Sequence, residues 1–262
     1  MLDIKIAIAT RGLGLPLKKA LPVSAELGVS AIELDGRHDL PIGDIGQTAI
    51  RAIRKLLEDH RLSVAAVNFA SRRGFHALEG LEARVDAIKA LMRLAHALGA
   101  PVVPCSVGHI PRVDELPTVW NTLVEVLTDL GHYGQHVGAL LAADTGAQSP
   151  DDLARLIAAL PQHSLGVALN PAALTGHGHS VVAAVQQLGG LVYHVYANDA
   201  VFDPAARRGE QTTLGRGMVD YPALLGALEE HGYRGYFTIT GSTADAPIDE
   251  TSQAIEYLRS FV

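Results

Sequence analysis

Residues 139–170 read ALLAADTGAQSPDDLARLIAALPQHSLGVALN, and the plan of the whole chain is visible in that stretch. Ala139–Asp144 is a short apolar run that stops at a carboxylate, and Leu165–Asn170 is another that stops at an amide. Runs of this length, bounded by turn residues, read as buried strands. Between them, Ser149-Pro150-Asp151-Asp152 offers a capping hydroxyl and a proline at the first helical position, so Pro150–Leu160 reads as a helix. Strand, helix and strand in succession form a βαβ unit, whose right-handed crossover makes the two strands parallel.

The same unit recurs in both directions. Further strands are expected at Ile4–Ala9, Ala31–Asp35, Ser63–Asn68, Pro101–Ser106, Leu191–Tyr196 and Tyr236–Thr240. Helices are expected at Leu17–Leu27, Ile45–His60, Leu81–Leu98, Glu115–Val137, Ser180–Leu188, Tyr221–His231 and Glu250–Arg259. Their apolar residues tend to the i, i+3, i+4 spacing, as in Val85, Ile88, Met92 and Ala95. Asp220 precedes Tyr221-Pro222 as an N-cap, and Gly28, Gly99 and Gly232 stand where helices should end. Eight such units in 262 residues match an α/β fold, a single (β/α)8 TIM barrel filling residues 1–262, better than an open sheet. Gly12-Leu13-Gly14 after the first strand lacks the rest of a dinucleotide fingerprint. The longest connection, Asn198–Met218, holds RRGEQTTLGRG and reads as a polar loop.

A chain that is 48% hydrophobic and 19% charged suits one compact core. Its formal net charge is −7, and no block of Lys and Arg interrupts that balance, which argues against a nucleic-acid partner. Cys105 is the single cysteine, so internal disulfides are excluded and a reducing compartment is expected. The N-terminal MLDIKIAIAT does not read as a leader, and no run of about 18 apolar residues suggests a membrane span. The expected location is cytoplasmic, with no membrane partner.

Strand phase separates an inner from an outer face, because successive side chains alternate. Glu33 and Asp35 share one phase against Ile32 and Leu34; Leu140, Ala142 and Asp144 share another; so do Gly166, Ala168 and Asn170, then Val192, His194 and Tyr196, then Tyr236, Thr238 and Thr240. Polar groups therefore collect on the inner phase. In a barrel, polar side chains at strand carboxyl ends line one mouth. The expected inner set is Glu33, Asp35, Asn68, Asp144, Asn170, His194, Tyr196 and Thr240, with His109 just beyond the fourth strand. Arg11, Arg37, Arg72, Arg73 and Arg216 lie in loops around it. Such a mouth suits a hydroxyl-rich or anionic small molecule.

Individual roles follow from chemistry. Asp144 is a candidate general base or metal ligand, and His109 and His194 are candidate acids or bases. Glu33 is too deep to stay unpaired and should meet an arginine or a histidine. Arg72 or Arg73 would grip a carboxylate, a phosphate or a sugar oxygen. Gly215-Arg216-Gly217 would present backbone N–H groups to an anion. The tract Gly176-His177-Gly178-His179 lacks carboxylate partners for a metal. Lysines stand only at 5, 18, 19, 55 and 89, away from strand ends, which disfavours Schiff-base chemistry. Cys105 belongs to the outward phase, which disfavours a thiol nucleophile, and no Gly-x-Ser-x-Gly elbow occurs.

The segments AIELDGR, VNFASRRGF, ALLAADTG, LGVALNPAAL, HVYANDA and GRGMVDYPALLGALEEHGYRGYFTI resemble the xylose isomerase-like TIM barrels, a family that includes sugar phosphate isomerases and epimerases and an apurinic endonuclease. The resemblance implies a divalent metal held by a glutamate, an aspartate, a histidine and a glutamate after the fifth to eighth strands. The matching positions here are Asp144, Asn170, Tyr196 and Thr240, none of them the expected residue. Aspartate in place of glutamate also shortens reach by about 1.5 Å, whereas metal–ligand distances tolerate about 0.2 Å. No metal ligand is therefore assigned and no cofactor is expected; Mn, Mg or Zn would enter only if the family site survives in altered form. The expected function is a sugar or sugar-derivative isomerase or epimerase with a remodelled, metal-free site. In it Asp144 would take a proton alpha to a carbonyl, His109 or His194 would act as the partner acid, and Arg72 or Arg216 would steady the enolate. Glu33, Arg37, Asn68, Arg73, Asn170, Tyr196 and Thr240 would complete substrate binding. The alternative is a non-catalytic descendant that binds a sugar or polyol. A homo-oligomer is compatible with either reading.

Overall fold

The computed structural model describes residues 3–40, 46–71, 73–146, 148–205, 208–242 and 248–261. Strands β1 (Lys5–Ala9), β2 (Ala31–Asp35), β3 (Ser63–Asn68), β4 (Val102–Cys105), β5 (Leu140–Asp144), β6 (Gly166–Leu169) and β7 (Val192–Ala197) alternate with helices. These helices are α1 (Leu17–Glu26), α2 (Gln47–Asp59), α3 (Leu81–Ala97), α4 (Pro117–Val137), α5 (Pro150–Ala158), α6 (Pro171–Gly176) and α7 (Val181–Leu188). A hairpin, β8 (Asp199–Asp203) and β9 (Arg208–Thr212), then precedes α8 (Tyr221–Glu230), β10 (Tyr236–Ile239) and α9 (Ile248–Arg259).

Eight strands form one sheet in the order β3-β2-β1-β10-β7-β6-β5-β4, and every pair is parallel. The remaining edges meet where Phe69 bridges Cys105, with the Phe69 N–H 2.8 Å from the Pro104 carbonyl. That contact closes the barrel. Helix signals act where the sequence places them. Ser149 Oγ accepts from the Asp152 N–H at 3.1 Å and Asp220 accepts from the Ala223 N–H at 3.0 Å. Gly28, Gly99 and Gly232 turn with φ of 75°, 82° and 70°. Among the described residues, no helix is long and apolar enough to cross a membrane.

The two faces of the sheet differ as the strand phase requires. The outer face carries Ile8, Ile32, Leu34, Val67, Leu141, Val167, Val195 and Phe237 against the helices. Burying each such side chain stabilises the fold by about 1.5–3 kcal/mol. The inner face is built of small residues around aromatic ones. Ala7, Ala31 and Ala65 pack with Tyr236, while Val102, Ala142, Ala168 and Tyr196 pack with Tyr193. A Cβ on Gly166 would come 2.1 Å from the Tyr193 ring, so that position has no room for a side chain.

Two elements differ from the expectation. Helix α6 follows β6 directly, and Asn170 caps it by accepting the Ala173 N–H at 3.1 Å. The segment read as a polar loop instead contains the β8–β9 hairpin. Strand β9, RGEQT, has no apolar alternation, so period-2 patterning could not reveal it. The hairpin is held by its own ladder and by close backbone approach: a Cβ on Gly209 would lie 2.2 Å from Gly176 Cα.

Candidate functional site

The carboxyl ends of the strands surround a polar bowl of about 390 Å³. Every barrel strand except β4 contributes to its lining, directly or through the loop that follows it. Glu33 and Asp35 come from β2, Asn68 from β3, Asp144 from β5, Asn170 from the β6 tip and Tyr196 from β7. Arg11 follows β1, Asn198 follows β7, and Thr240 and Ser242 follow β10. Gln211 reaches in from the hairpin, its amide 3.4 Å from Thr240 Oγ1.

On the β2 side the charges organise one another. Asp35 is buried, which by itself favours its neutral form. The N–H groups of Arg37 and His38, at 2.8 and 3.0 Å, and the His38 ring, at 3.1 Å, outweigh burial and hold its carboxyl below the ordinary value. The same carboxylate lies 3.5 Å from the Arg11 guanidinium, which keeps Arg11 at the rim. Burial raises the neighbouring Asp39, and the Thr10 hydroxyl donates to it. Glu33 sits deeper, 5% exposed, with Oε2 2.9 Å from His194 Nε2. Both atoms are buried, and the angles of that contact fall short of a hydrogen bond. His194 in turn meets the Tyr196 ring edge-on at 4.8 Å.

Asp144 is half-buried, but its Oδ1 is sealed from solvent and has no hydrogen-bond partner. Burial pushes its carboxyl up to about 6; the Glu33 charge adds to the rise, while Asn170 and His194 oppose it. A carboxyl titrating there is about nine-tenths ionised at pH 7 yet basic enough to hold a proton. Tyr196 behaves in the opposite sense. Burial and the Glu33 and Asp144 charges raise its phenol well above the usual range, so it stays protonated. Its oxygen accepts from Asn68 Nδ2 at 3.0 Å, which leaves its own O–H free to donate. Asn198 donates to Asn170 Oδ1 at 3.0 Å and accepts from the Ala172 N–H at 2.9 Å, joining the β6 and β7 tips.

Glu33, Asn68, Asp144, Asn170, Tyr196 and Thr240 thus meet in one cavity, with His194 beneath it. Other expected members fall outside. His109 is exposed in the loop after β4, its N–H 3.0 Å from His76 Nδ1, and does not line the bowl. Arg37 and Arg73 line a neighbouring cleft instead. Arg72 lies outside the described residues. Arg216 is exposed and outside the lining, and its loop already has an anion. Buried Asp199 accepts the N–H groups of Ala200, Gly215, Gly217 and Val219 at 2.9–3.1 Å. The glycines serve the protein's own carboxylate, and a Cβ on Gly217 would lie 2.1 Å from Asp199 Oδ1. Asn198, Gln211 and Ser242 were not foreseen. Asn198 shares the Tyr196 phase and was in principle legible, whereas Gln211 is placed by the hairpin alone.

Residues 21–261 match the family described as the xylose isomerase-like TIM barrel. An inosose dehydratase of Geobacillus thermodenitrificans is 21% identical, over 90% of this chain and 89% of its own. A fructoselysine 3-epimerase of Escherichia coli O157:H7 is 22% identical, over 95% of this chain and 94% of its own. A xylose isomerase domain protein of Planctomyces limnophilus superposes with a TM-score of 0.86 at 23% identity, covering 98% of this chain and 96% of that one.

The divalent metal implied by the resemblance would have to be held by Asp144, Asn170, Tyr196 and Thr240. The donor set does not fit. Asp144 is the single carboxylate. Asn170 Oδ1 already accepts two hydrogen bonds, and Tyr196 and Thr240 are neutral hydroxyls. Among the described residues, no group of three or more His, Cys, Asp and Glu could hold a metal ion.

Proposed function

This chain belongs to the xylose isomerase-like TIM barrel family, and from that premise we propose that it acts on sugar-derived small molecules as an isomerase- or epimerase-type enzyme. The observation that carries this reading is Asp144 Oδ1, buried and unpartnered in a bowl otherwise lined by amides and hydroxyls. The named relatives, a dehydratase and an epimerase of sugar-like molecules, support the substrate class. Epimerisation, isomerisation and dehydration beside a carbonyl share one step, removal of the alpha proton.

In the proposed reaction the alpha C–H bond breaks, the proton passes to Asp144, and its electron pair moves into the carbonyl to give an enolate. The neutral Tyr196 O–H donates to the enolate oxygen, with Asn68 fixing the phenol from behind. Return of the proton to the former carbonyl carbon, with the alpha-hydroxyl proton passing to the former carbonyl oxygen, gives an isomer. Delivery of a solvent proton to the opposite face of the alpha carbon, with the abstracted proton lost to solvent, gives an epimer. Asn170, Asn198, Gln211, Thr240 and Ser242 recognise hydroxyls. His194 acts as a positioning residue through its 2.9 Å contact with Glu33. The scheme needs no resident metal, in keeping with the donor set.

The test is exchange of substrate protons in D₂O with keto sugars and inososes, before and after treatment with a chelator. Exchange that survives chelation and is lost in Asp144→Asn supports the scheme. Full exchange by Asp144→Asn, or stoichiometric Zn, Mn or Mg bound at these side chains, overturns it. A second reading, a non-catalytic sugar or polyol binder, draws on Asn170 and Thr240, which stand where the family has carboxylates. Binding without any exchange would select it.

A further inference from the structure

A second cavity, of about 330 Å³, opens beside the bowl between the loops that follow β2 and β3 and the first turns of α3. Phe69, Ala70 and Ala87 form its apolar wall, and its charged residues are Arg37, Arg73 and Arg84. Among the described residues no carboxylate lines it, in a chain whose net charge is −7.

The three guanidinium groups are unequally neutralised. Arg73 pairs with Glu79, which is exposed. Arg84 donates to the Glu79 carbonyl at 2.8 Å and to the Ala77 carbonyl, so its partners are neutral. Its Nε is buried with no partner. The Arg37 side chain makes no ion pair or hydrogen bond among the described residues, and only its backbone N–H is used, by Asp35. Of the three, Arg84 is the partly buried one, and a cation so placed with only neutral partners carries an unrelieved desolvation cost. Nearby His76 feels this field: burial, then the His109 and Arg84 charges, hold its imidazole below the ordinary value.

We propose that this cleft binds a small organic anion, a carboxylate or phosphate carried on an apolar group, gripped by Arg37, Arg73 and Arg84 against Phe69. Guanidinium forks match carboxylate and phosphate oxygens in pairs, and the apolar wall accepts the body of the ligand. The cleft adjoins the bowl, because Gly36 and Phe69 on its wall follow Asp35 and Asn68 on the bowl's. The anion is therefore either an acidic substituent of the bowl's own ligand or a separate molecule bound beside it. The proposal does not depend on the reaction assigned to the bowl.

Calorimetric titration of the full chain at fixed ionic strength tests it, with phenyl phosphate, benzoate, inorganic phosphate and benzyl alcohol. Phenyl phosphate and benzoate are expected to bind, inorganic phosphate more weakly, and benzyl alcohol not at all. Arg37→Ala and Arg73→Ala, both at exposed positions, should each weaken the aromatic anions about tenfold or more while circular dichroism stays unchanged. Glucuronate binding more tightly than glucose, with the difference lost in Arg37→Ala, identifies the anion as part of the sugar ligand. Equal sugar affinities beside a bound phenyl phosphate identify a separate one. Absence of binding by both aromatic anions, equal binding by benzyl alcohol, or unchanged binding in both arginine variants overturns the proposal. Proton exchange in the bowl is measured separately, so either idea can fail alone.

Discussion

Asp144→Asn is expected to stabilise the protein at neutral pH while removing proton exchange. The Asp144 carboxyl moves from 3.8 to about 6 because burial and the Glu33 charge disfavour its ionised form. Below pH 3.8 the group is protonated in folded and unfolded chains alike, and it contributes nothing to pH dependence. Between 3.8 and about 6 the unfolded chain releases the proton while the folded one keeps it, so stability falls as pH rises. Above about 6 the penalty is complete. A rise of about 2 pH units corresponds to about 3 kcal/mol. The residue as a whole is only half-buried, so solvent screening reduces the effective penalty to about 1–2 kcal/mol. For a chain of 262 residues that corresponds to about 2–4 °C in Tm. The assay is thermal unfolding of wild type and Asp144→Asn from pH 4 to pH 8, paired with proton exchange at pH 7.5. The Tm gap should open through the acidic range and level off near neutrality. A variant less stable than wild type at pH 8, or a gap that ignores pH, would refute the account of Asp144 as a desolvated carboxylate.

Other expected outcomes are smaller in scope. Asp199→Ala should cost about 3–5 kcal/mol in urea unfolding, because four backbone N–H groups lose a buried acceptor; limited proteolysis should then cut the hairpin first. Tyr196→Phe should slow exchange about a hundredfold and lower stability by only about 1 kcal/mol, since it removes one donor and leaves the Asn68 amide unpaired. A rate unchanged by that substitution would remove Tyr196 from the scheme. Gln211→Ala should weaken sugar binding about threefold to tenfold with Tm held within about 2 °C, as expected for an exposed side chain that touches ligand.

Among the described residues, the carboxylates lining the bowl are Glu33, Asp35 and Asp144, with Arg11 as the cation in the lining. The Glu33 charge adds to the burial that raises the Asp144 carboxyl, and His194 opposes that rise. Asp35, with two backbone N–H donors and the His38 ring, is held below its ordinary value despite burial. Three carboxyls in one cavity thus have three distinct tasks. Asp35 shapes the loop and anchors Arg11, Glu33 stands against His194, and Asp144 has an Oδ1 without a hydrogen-bond partner.

The sequence by itself determined the eight repeats, the direction of the strands and the ring of Glu33, Asn68, Asp144, Asn170, Tyr196 and Thr240. These follow from local periodicities: two residues per strand repeat, near four per helix turn, and a polar stop at each strand tip. Only the tertiary structure decided what the loops do. It turned the Gly215–Gly217 backbone onto Asp199, moved Arg37 and Arg73 out of the bowl, left His109 on the surface and brought Gln211 in on a hairpin with no apolar rhythm. A loop's path is set by contacts distant in the chain, such as Gly209 against Gly176, and no local period encodes those.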